Sequence, residues 1–228
     1  IEFKAKGIHT TILDTRKSSD AGVVQEAKNL GIDIKFNHGV ANTSGYKKVN
    51  SATIGELNDT KDGYKNLYKM PCDSIFVSGN WTPTVHLASQ SGNKLKYEDE
   101  TDTFLPHQSR QQETVIGSAN GSFTLKQSLA DGFKTGFEVS NEITKNGKEL
   151  SVPISDEKDF GSHDKFWCLP LPNNKNFKRF VDFQNDVAVS DIQLAVREGF
   201  RSIEHVKRYT TLGMATDQGK TSNLNGLQ

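Results

Sequence analysis

An α/β fold is predicted by the order of elements in this sequence. Residues 7–57 read as a strand, an amphipathic helix and a small antiparallel meander. Two later stretches, 70–92 and 113–139, each carry an apolar strand that runs into glycine, and 179–228 reads as two short helices with a polar loop. Strands interleaved with helices imply layers in which each element buries its apolar face on another.

The first strand lies in "GIHTTILDTR" (7–16), a β-branched run that ends on Asp14 and is followed by Arg16. An acidic residue at the carboxyl end of a dinucleotide-fold strand binds ribose, because two adjacent hydroxyls can donate to one carboxylate. The glycine-rich turn that should precede it by about twenty residues is absent, and Asp14 as a cap of the next element stays equally open. "SDAGVVQEAKNLG" (19–31) predicts a helix, with Ser19 or Asp20 as its N-cap, apolar residues at 23, 24, 27 and 30, and Gly31 as its stop. "IDIKFNHGVANTSGYKKVNSATIGEL" alternates between Asn and Gly punctuation, as antiparallel strands do. Strand, helix, then meander is the ordering of the pyridine-nucleotide module in disulfide-reductase-like flavoproteins, which bind two dinucleotides.

Within "MPCDSIFVSGNWTPTVHLASQSG" (70–92), residues 74–78 read as a buried strand, then Gly79 as the turn that returns the chain to a first dinucleotide domain. "ETVIGSANGSFTLKQSLADGFKTGFEV" (113–139) predicts a strand ending at Gly117, a small-residue turn, and a helix with apolar residues at 123, 125, 129, 133 and 137. A helix N-terminus after such a turn can face a pyrophosphate. Gly117 is followed by Ser118, Ala119 and Asn120, so the carboxylate that normally holds a flavin ribityl hydroxyl at this turn is missing. Residues 140–178 are polar and Pro-stiffened, as a linker is, and "FWCLPLP" with Trp167 is expected to pack on a neighbouring domain. In the last segment Ser190 and Ser202 are the expected caps of the two helices, and Gly199 ends the first.

Composition removes several function classes. With 28 acidic and 28 basic residues, nothing marks a nucleic-acid or membrane-surface binder. The apolar share of 34% and mean hydropathy of −0.61 are low for a compact enzyme, so part of the surface is expected to lie under partners or to be loosely ordered. Cys72 and Cys168, far apart and without clustered histidine, make neither a disulfide framework nor a zinc site and fit a reducing cytoplasm. No apolar run is long enough to span a bilayer and no basic-then-apolar stretch reads as a leader, so neither a membrane span nor a signal peptide is expected. The six histidines are scattered, so a freestanding NAD-dependent dehydrogenase finds no acid–base constellation; His205 is the first to inspect. The opening at Ile1 and the stop at "NLNGLQ" suggest a piece of a longer polypeptide.

"LGMATDQGKTSN" (212–223) invites a phosphate-loop reading through its Gly-Lys-Thr. Five residues separate Gly213 from Gly219 where the motif needs four, and the preceding stretch is polar and helix-like rather than an apolar strand. A nucleoside-triphosphatase is set aside on both grounds, and a polar turn-rich connection is the plain alternative.

At "FVDFQNDV", "VREGFRSIEHVKRYTTLGMATDQGKTSN" and "VSGNWTPTVHLASQSG" the chain closely resembles the α subunits of heterotetrameric sarcosine oxidases. The resemblance implies a dinucleotide-binding half followed by a tetrahydrofolate-binding half. Residues 1–69 would be the end of an inserted NAD-type domain, 70–140 the return segment of the first dinucleotide domain, 141–178 a linker, and 179–228 a small helical module. That module is similar to the ferredoxin-type domain that carries a two-iron two-sulfur cluster in related dehydrogenases of amino acids and opines. The four cysteine positions are occupied here by Asp182, Gln184, Asp217 and Ser222, and oxygen ligands do not hold such a cluster.

The same resemblance implies a complex with β, γ and δ subunits, FAD in β, FMN at the α–β junction, NAD bound by α, and tetrahydrofolate in the carboxyl-terminal half. For NAD the candidate residues are Asp14, Gly79, Gly117, Ser118, Ala119 and Asn120. For FMN they are Arg208, Thr216, Gln218, Lys220, Thr221 and Ser222, whose donors and charge suit a phosphate or a ring edge. The alternative is that these side chains only satisfy buried backbone or a partner subunit. Two functions therefore compete: a cofactor-bearing part of a sarcosine-demethylating oxidase, and a scaffold without a site of its own. A related subunit acting on other N-methyl amino acids or opines is a variant of the first.

Overall fold

The structure is a computed structural model that describes residues 1–79, 81–156, 165–172 and 177–228. In chain order the elements are α1 (Glu2–Ala5), β1 (Thr11–Asp14), α2 (Gly22–Asn29), β2 (Asp33–Phe36), β3 (His38–Gly45), β4 (Val49–Leu57) and β5 (Tyr64–Pro71). They continue with α3 (His86–Gln90), β6 (Lys94–Glu98), β7 (Thr103–Gln108), a 3-10 turn (Gly117–Asn120) and α4 (Leu125–Thr144). The last are β8 (Phe180–Asp182), β9 (Val187–Ala188), α5 (Val189–Arg197), α6 (Ile203–Thr210) and α7 (Asn223–Leu227). Two compact units result, one of residues 1–12, 18–34 and 76–165, the other of residues 13–17, 35–75 and 166–228. β1 and β2 pair in a two-stranded sheet.

In the first unit α2 buries Val24 and Ala27, and Gly31 ends it at φ +71°, as its sequence predicted. Its cap differs. Ala21 holds the N-cap position, and Ser19 accepts the Ala21 amide through Oγ at 3.4 Å instead of capping the first turn. β6 and β7 form an antiparallel hairpin held by an edge-on pair of Tyr97 and Phe104, with Thr103 buried. Asp102 beside it is nearly buried, accepts from the Tyr97 hydroxyl at 3.0 Å and pairs with Lys165 at 3.2 Å.

The strands expected at 74–78 and before Gly117 do not form. Phe76 and Val77 are 78% and 85% exposed, and no sheet of the described residues takes the segment as a neighbour. A continuous apolar run is a strand only where both of its faces can be covered. After the 3-10 turn, α4 starts with a capping box: Thr124 Oγ1 accepts the Gln127 amide at 3.2 Å while the Gln127 side chain accepts the Thr124 amide. It runs past the expected limit to Thr144, where Lys145 closes it in the left-handed region.

The second unit is built on the antiparallel sheet β3–β4–β5. β4 is its middle strand, and Ile54 and Leu57 are its most buried large side chains. The β4–β5 turn is closed by Asn58, whose Oδ1 accepts the amides of Asp62 and Gly63. A Cβ on Gly39 would collide with the Leu169 side chain, so the segment after residue 165 lies directly on the sheet. Lys61 sits 5.1 Å over the Phe166 ring. Part of the stretch read as a linker is thus packed structure, within this unit.

The carboxyl-terminal module has β8 and β9 as a short hairpin, with α5 and α6 packed behind it over Val187, Ala195, Val206 and Leu212. Ser190 is not the cap of α5. Ala188 is, and Asp191 reaches back to accept the Ala188 amide at 2.8 Å. Alanine offers no acceptor of its own, so this is half of a capping box. Gly199 ends α5 at φ +97°, and Ser202 is the N-cap of α6 with no side-chain bond. No helix of the described residues is long and apolar enough to cross a membrane.

Candidate functional site

The loop from Thr211 to Ser222 follows α6 and is stitched to the β8–β9 turn. Asp182, at the end of β8, is 2% exposed. Its Oδ2 accepts the Gly213 amide at 2.8 Å and lies 3.4 Å from Ser222 Oγ, while its Oδ1 accepts the Gln184 amide at 2.9 Å. The Gln184 side chain accepts from Thr216 Oγ1 at 2.6 Å, and Asn185 donates to the Thr211 carbonyl at 2.9 Å. A second carboxylate organises the loop tip: Asp217 accepts the amides of Gly219 and Thr221 and the Thr221 hydroxyl at 2.6 Å. The hydroxyl of Thr221 first, then these amides, hold the Asp217 carboxyl below its ordinary range.

Of the four positions that match cluster cysteines in the resemblance, Asp182 and Ser222 meet at 3.4 Å. Gln184 also helps to stabilise the Asp217 carboxylate. Among the described residues no group of three or more His, Cys, Asp and Glu side chains could hold a metal ion.

The expected flavin residues divide by direction. Arg208 on α6, and Gln218 and Lys220 in the loop, are exposed, and neither cation forms an ion pair among the described residues. Thr216 and Thr221 are exposed but donate their hydroxyls to Gln184 and Asp217. Ser222 is 1% exposed and its hydroxyl faces Asp182, so it belongs to the inside of the loop. The Gly213 and Gly219 amides are already donated to Asp182 and Asp217, and a Cβ on either glycine would strike the Asn223 side chain. The outer face is thus rich in donors while Asp182 and Asp217 spend their charge on the loop's own donors. Such a face fits an anionic phosphate group.

The NAD residues are more closed. Asp14 carries a bidentate contact with Arg16, whose Nη2 and Nε donate at 2.7 and 3.1 Å, and it also accepts the Arg16 amide at 2.9 Å. Burial alone pushes the Asp14 carboxyl up, but the Arg16 bonds and charge outweigh it, and its pKa falls below the ordinary value. A ribose reaching Asp14 has to displace Arg16. Gly79 lies in an exposed segment without secondary structure. Gly117 adopts φ +67°, and Ser118, Ala119 and Asn120 complete the 3-10 turn, but the nearby α4 amide at Gln127 is already capped by Thr124. Of these groups the Asp14 carboxylate and the Gln127 amide are the ones already taken.

Asp182 as anchor, Asn223 as wedge and Arg16 as clamp were not among the expected site residues. A legible signal existed for two of them: Arg16 stands two residues after Asp14, and the paired glycines at 213 and 219 imply a neighbour that needs their space.

In fold the chain is similar to L-proline dehydrogenase from P. horikoshii, on which it superposes with a TM-score of 0.50 and 18% identity, covering 95% of this chain and 43% of that one. Residues 176–228 match the family model of the sarcosine oxidase A3 domain. Over 99% of its length the chain is 37% identical to sarcosine oxidase subunit alpha of Rhizobium meliloti (strain 1021), and over 98% it is 29% identical to that of Corynebacterium sp. (strain U-96). It is homologous almost end to end to sarcosine oxidase α subunits and spans 22% and 23% of the length of these two.

Proposed function

We propose that this chain is part of the α subunit of an oxidase complex that converts sarcosine, oxygen and tetrahydrofolate to glycine, hydrogen peroxide and methylenetetrahydrofolate. Its own contribution is the Thr211–Ser222 loop with Arg208, as one wall of an FMN site shared with a β subunit. The observation that carries this is the loop's polarity: Gln218, Lys220 and Arg208 are exposed donors, and the carboxylates of Asp182 on β8 and Asp217 in the loop are spent on the loop's own donors. FMN bound there would supply the electron-accepting ring. Arg208 and Lys220 would neutralise its phosphate, and Gln218 would donate to phosphate or ring oxygen. FAD in β, NAD in α, tetrahydrofolate in a carboxyl-terminal half, γ and δ subunits and a cytoplasmic site complete the reading. The boundaries 1–69, 70–140, 141–178 and 179–228, and a ferredoxin-type scaffold kept without its cluster, belong to it as well.

A second reading, a subunit-joining scaffold with no cofactor of its own, is favoured by one observation, the closure of Asp14 by Arg16. Purification of the assembled complex separates the two. The first expects sarcosine-dependent peroxide formation, methylenetetrahydrofolate when tetrahydrofolate is present, and extractable FMN and NAD. Peroxide formation unaffected by substitution of Arg208 and Lys220 supports the scaffold.

A further inference from the structure

We infer that Asp182 is the positioning residue of the Gly213–Ser222 loop, its buried carboxylate fixing the direction in which Gln218 and Lys220 face the flavin. This rests on the flavin reading above. The carboxylate is 2% exposed, and the partners described for it are neutral donors: the Gly213 amide, the Gln184 amide and the Ser222 hydroxyl. Gly213 and Ser222 are the two ends of the loop, so one oxygen, Oδ2, ties both ends to β8. A carboxylate is tolerated away from water only when such bonds replace its hydration.

The rest of the loop has little freedom once its ends are tied. Gly213 and Gly219 both lie in the left-handed region and close around the Asn223 side chain. The Asp217 carboxylate fixes the tip between Gly219 and Thr221. Gln218, itself at φ +51°, and Lys220 flank Gly219 on this tip. Their direction follows from the backbone that Asp182 and Asp217 hold, and neither carboxylate needs to touch the ligand. An amide at position 182 offers a single acceptor oxygen. In Asp182→Asn either the Gly213 or the Gln184 amide then faces a donor.

The test is made in the assembled multisubunit complex, with amide exchange over residues 213–222 and the visible spectrum and retention of bound FMN as readouts. D182N is expected to accelerate exchange in the loop at least tenfold and to alter the FMN band and raise FMN loss severalfold. S222A, which keeps the Gly213 bond, is expected to move both in the same direction by less, and it carries the test if D182N does not assemble. Unchanged exchange in the variants that assemble overturns the proposal. Faster exchange with an unaltered flavin overturns it too when R208Q or K220Q does alter the flavin. If R208Q and K220Q are equally silent, the flavin reading itself fails, and the proposal falls for that separate cause.

Discussion

Asn223 fills with its side-chain amide the space in which a Cβ on Gly213 would stand. Gly219 borders the same amide from the other side. Both glycines also lie in the left-handed region, at φ +66° and +76°, so two independent constraints exclude a side chain at each. The Gly-Lys-Thr that resembles a phosphate loop in the sequence is the far edge of this packed notch.

Gly213→Ala is accordingly expected to cost at least ~2 kcal/mol, the left-handed strain of roughly 1–2 kcal/mol with the collision added to it. Chemical denaturation of the protein checks this. Adding N223A to G213A removes the collision with Asn223 and leaves the strain and the close approach of the Gly219 Cα at 3.0 Å, so the double variant should recover part of the loss. A double variant as unstable as G213A shows that Asn223 does not fill the notch.

Tyr64 is half-buried, and burial first, then the Cys168 thiolate, pushes its phenol up to about 12. Its hydroxyl donates to the Val40 carbonyl at 3.1 Å. Absorbance titration of the tyrosinates is expected to show a last phase near that value that disappears in Y64F, with a stability loss of about 1 kcal/mol from the lost bond.

The carboxyls of Asp14, through Arg16, and Asp217, through Thr221 and the loop amides, are held below the ordinary carboxylate range. A depressed carboxyl contributes stability that is complete above the unfolded value and lost as pH falls through the folded one. The protein is expected to lose stability as pH drops below about 4, and D14N to flatten that acid limb. R16Q should raise the Asp14 titration midpoint when followed by carbon NMR of the carboxyl. A midpoint that stays put contradicts the clamp.

Thr124→Ala removes the acceptor of the Gln127 amide and half of the capping box. A loss of about 1 kcal/mol is expected. Faster amide exchange confined to the first turn of α4 is the corresponding local signature.

Elements that depend on local chemistry were legible. The glycine stops at 31 and 199, the helix α2 with Val24 and Ala27 inward, and the hairpin β3–β4 all follow from nearest neighbours in sequence, whereas β2, read as part of the same meander, pairs with β1 instead. Elements that depend on distant partners were not. Residues 74–78 have the composition of a central strand, but composition does not say which sheet receives them. At α5 a serine one residue inside the helix resembles a cap, while the actual cap bond comes backwards from Asp191. The site divides the same way. The donors Gln218, Lys220 and Arg208 could be read from residue type, whereas Asp182 bonds Gly213 from 31 positions away, a distance no local pattern reports.

The central claim is that the Thr211–Ser222 loop with Arg208 faces a flavin phosphate across a subunit junction. Measuring the FMN content of the purified complex carrying R208Q and K220Q together tests it most directly. The account predicts at least a tenfold weaker hold on FMN than in the unsubstituted complex, with assembly intact. Stoichiometric FMN with an unaltered visible spectrum in that double variant would contradict it.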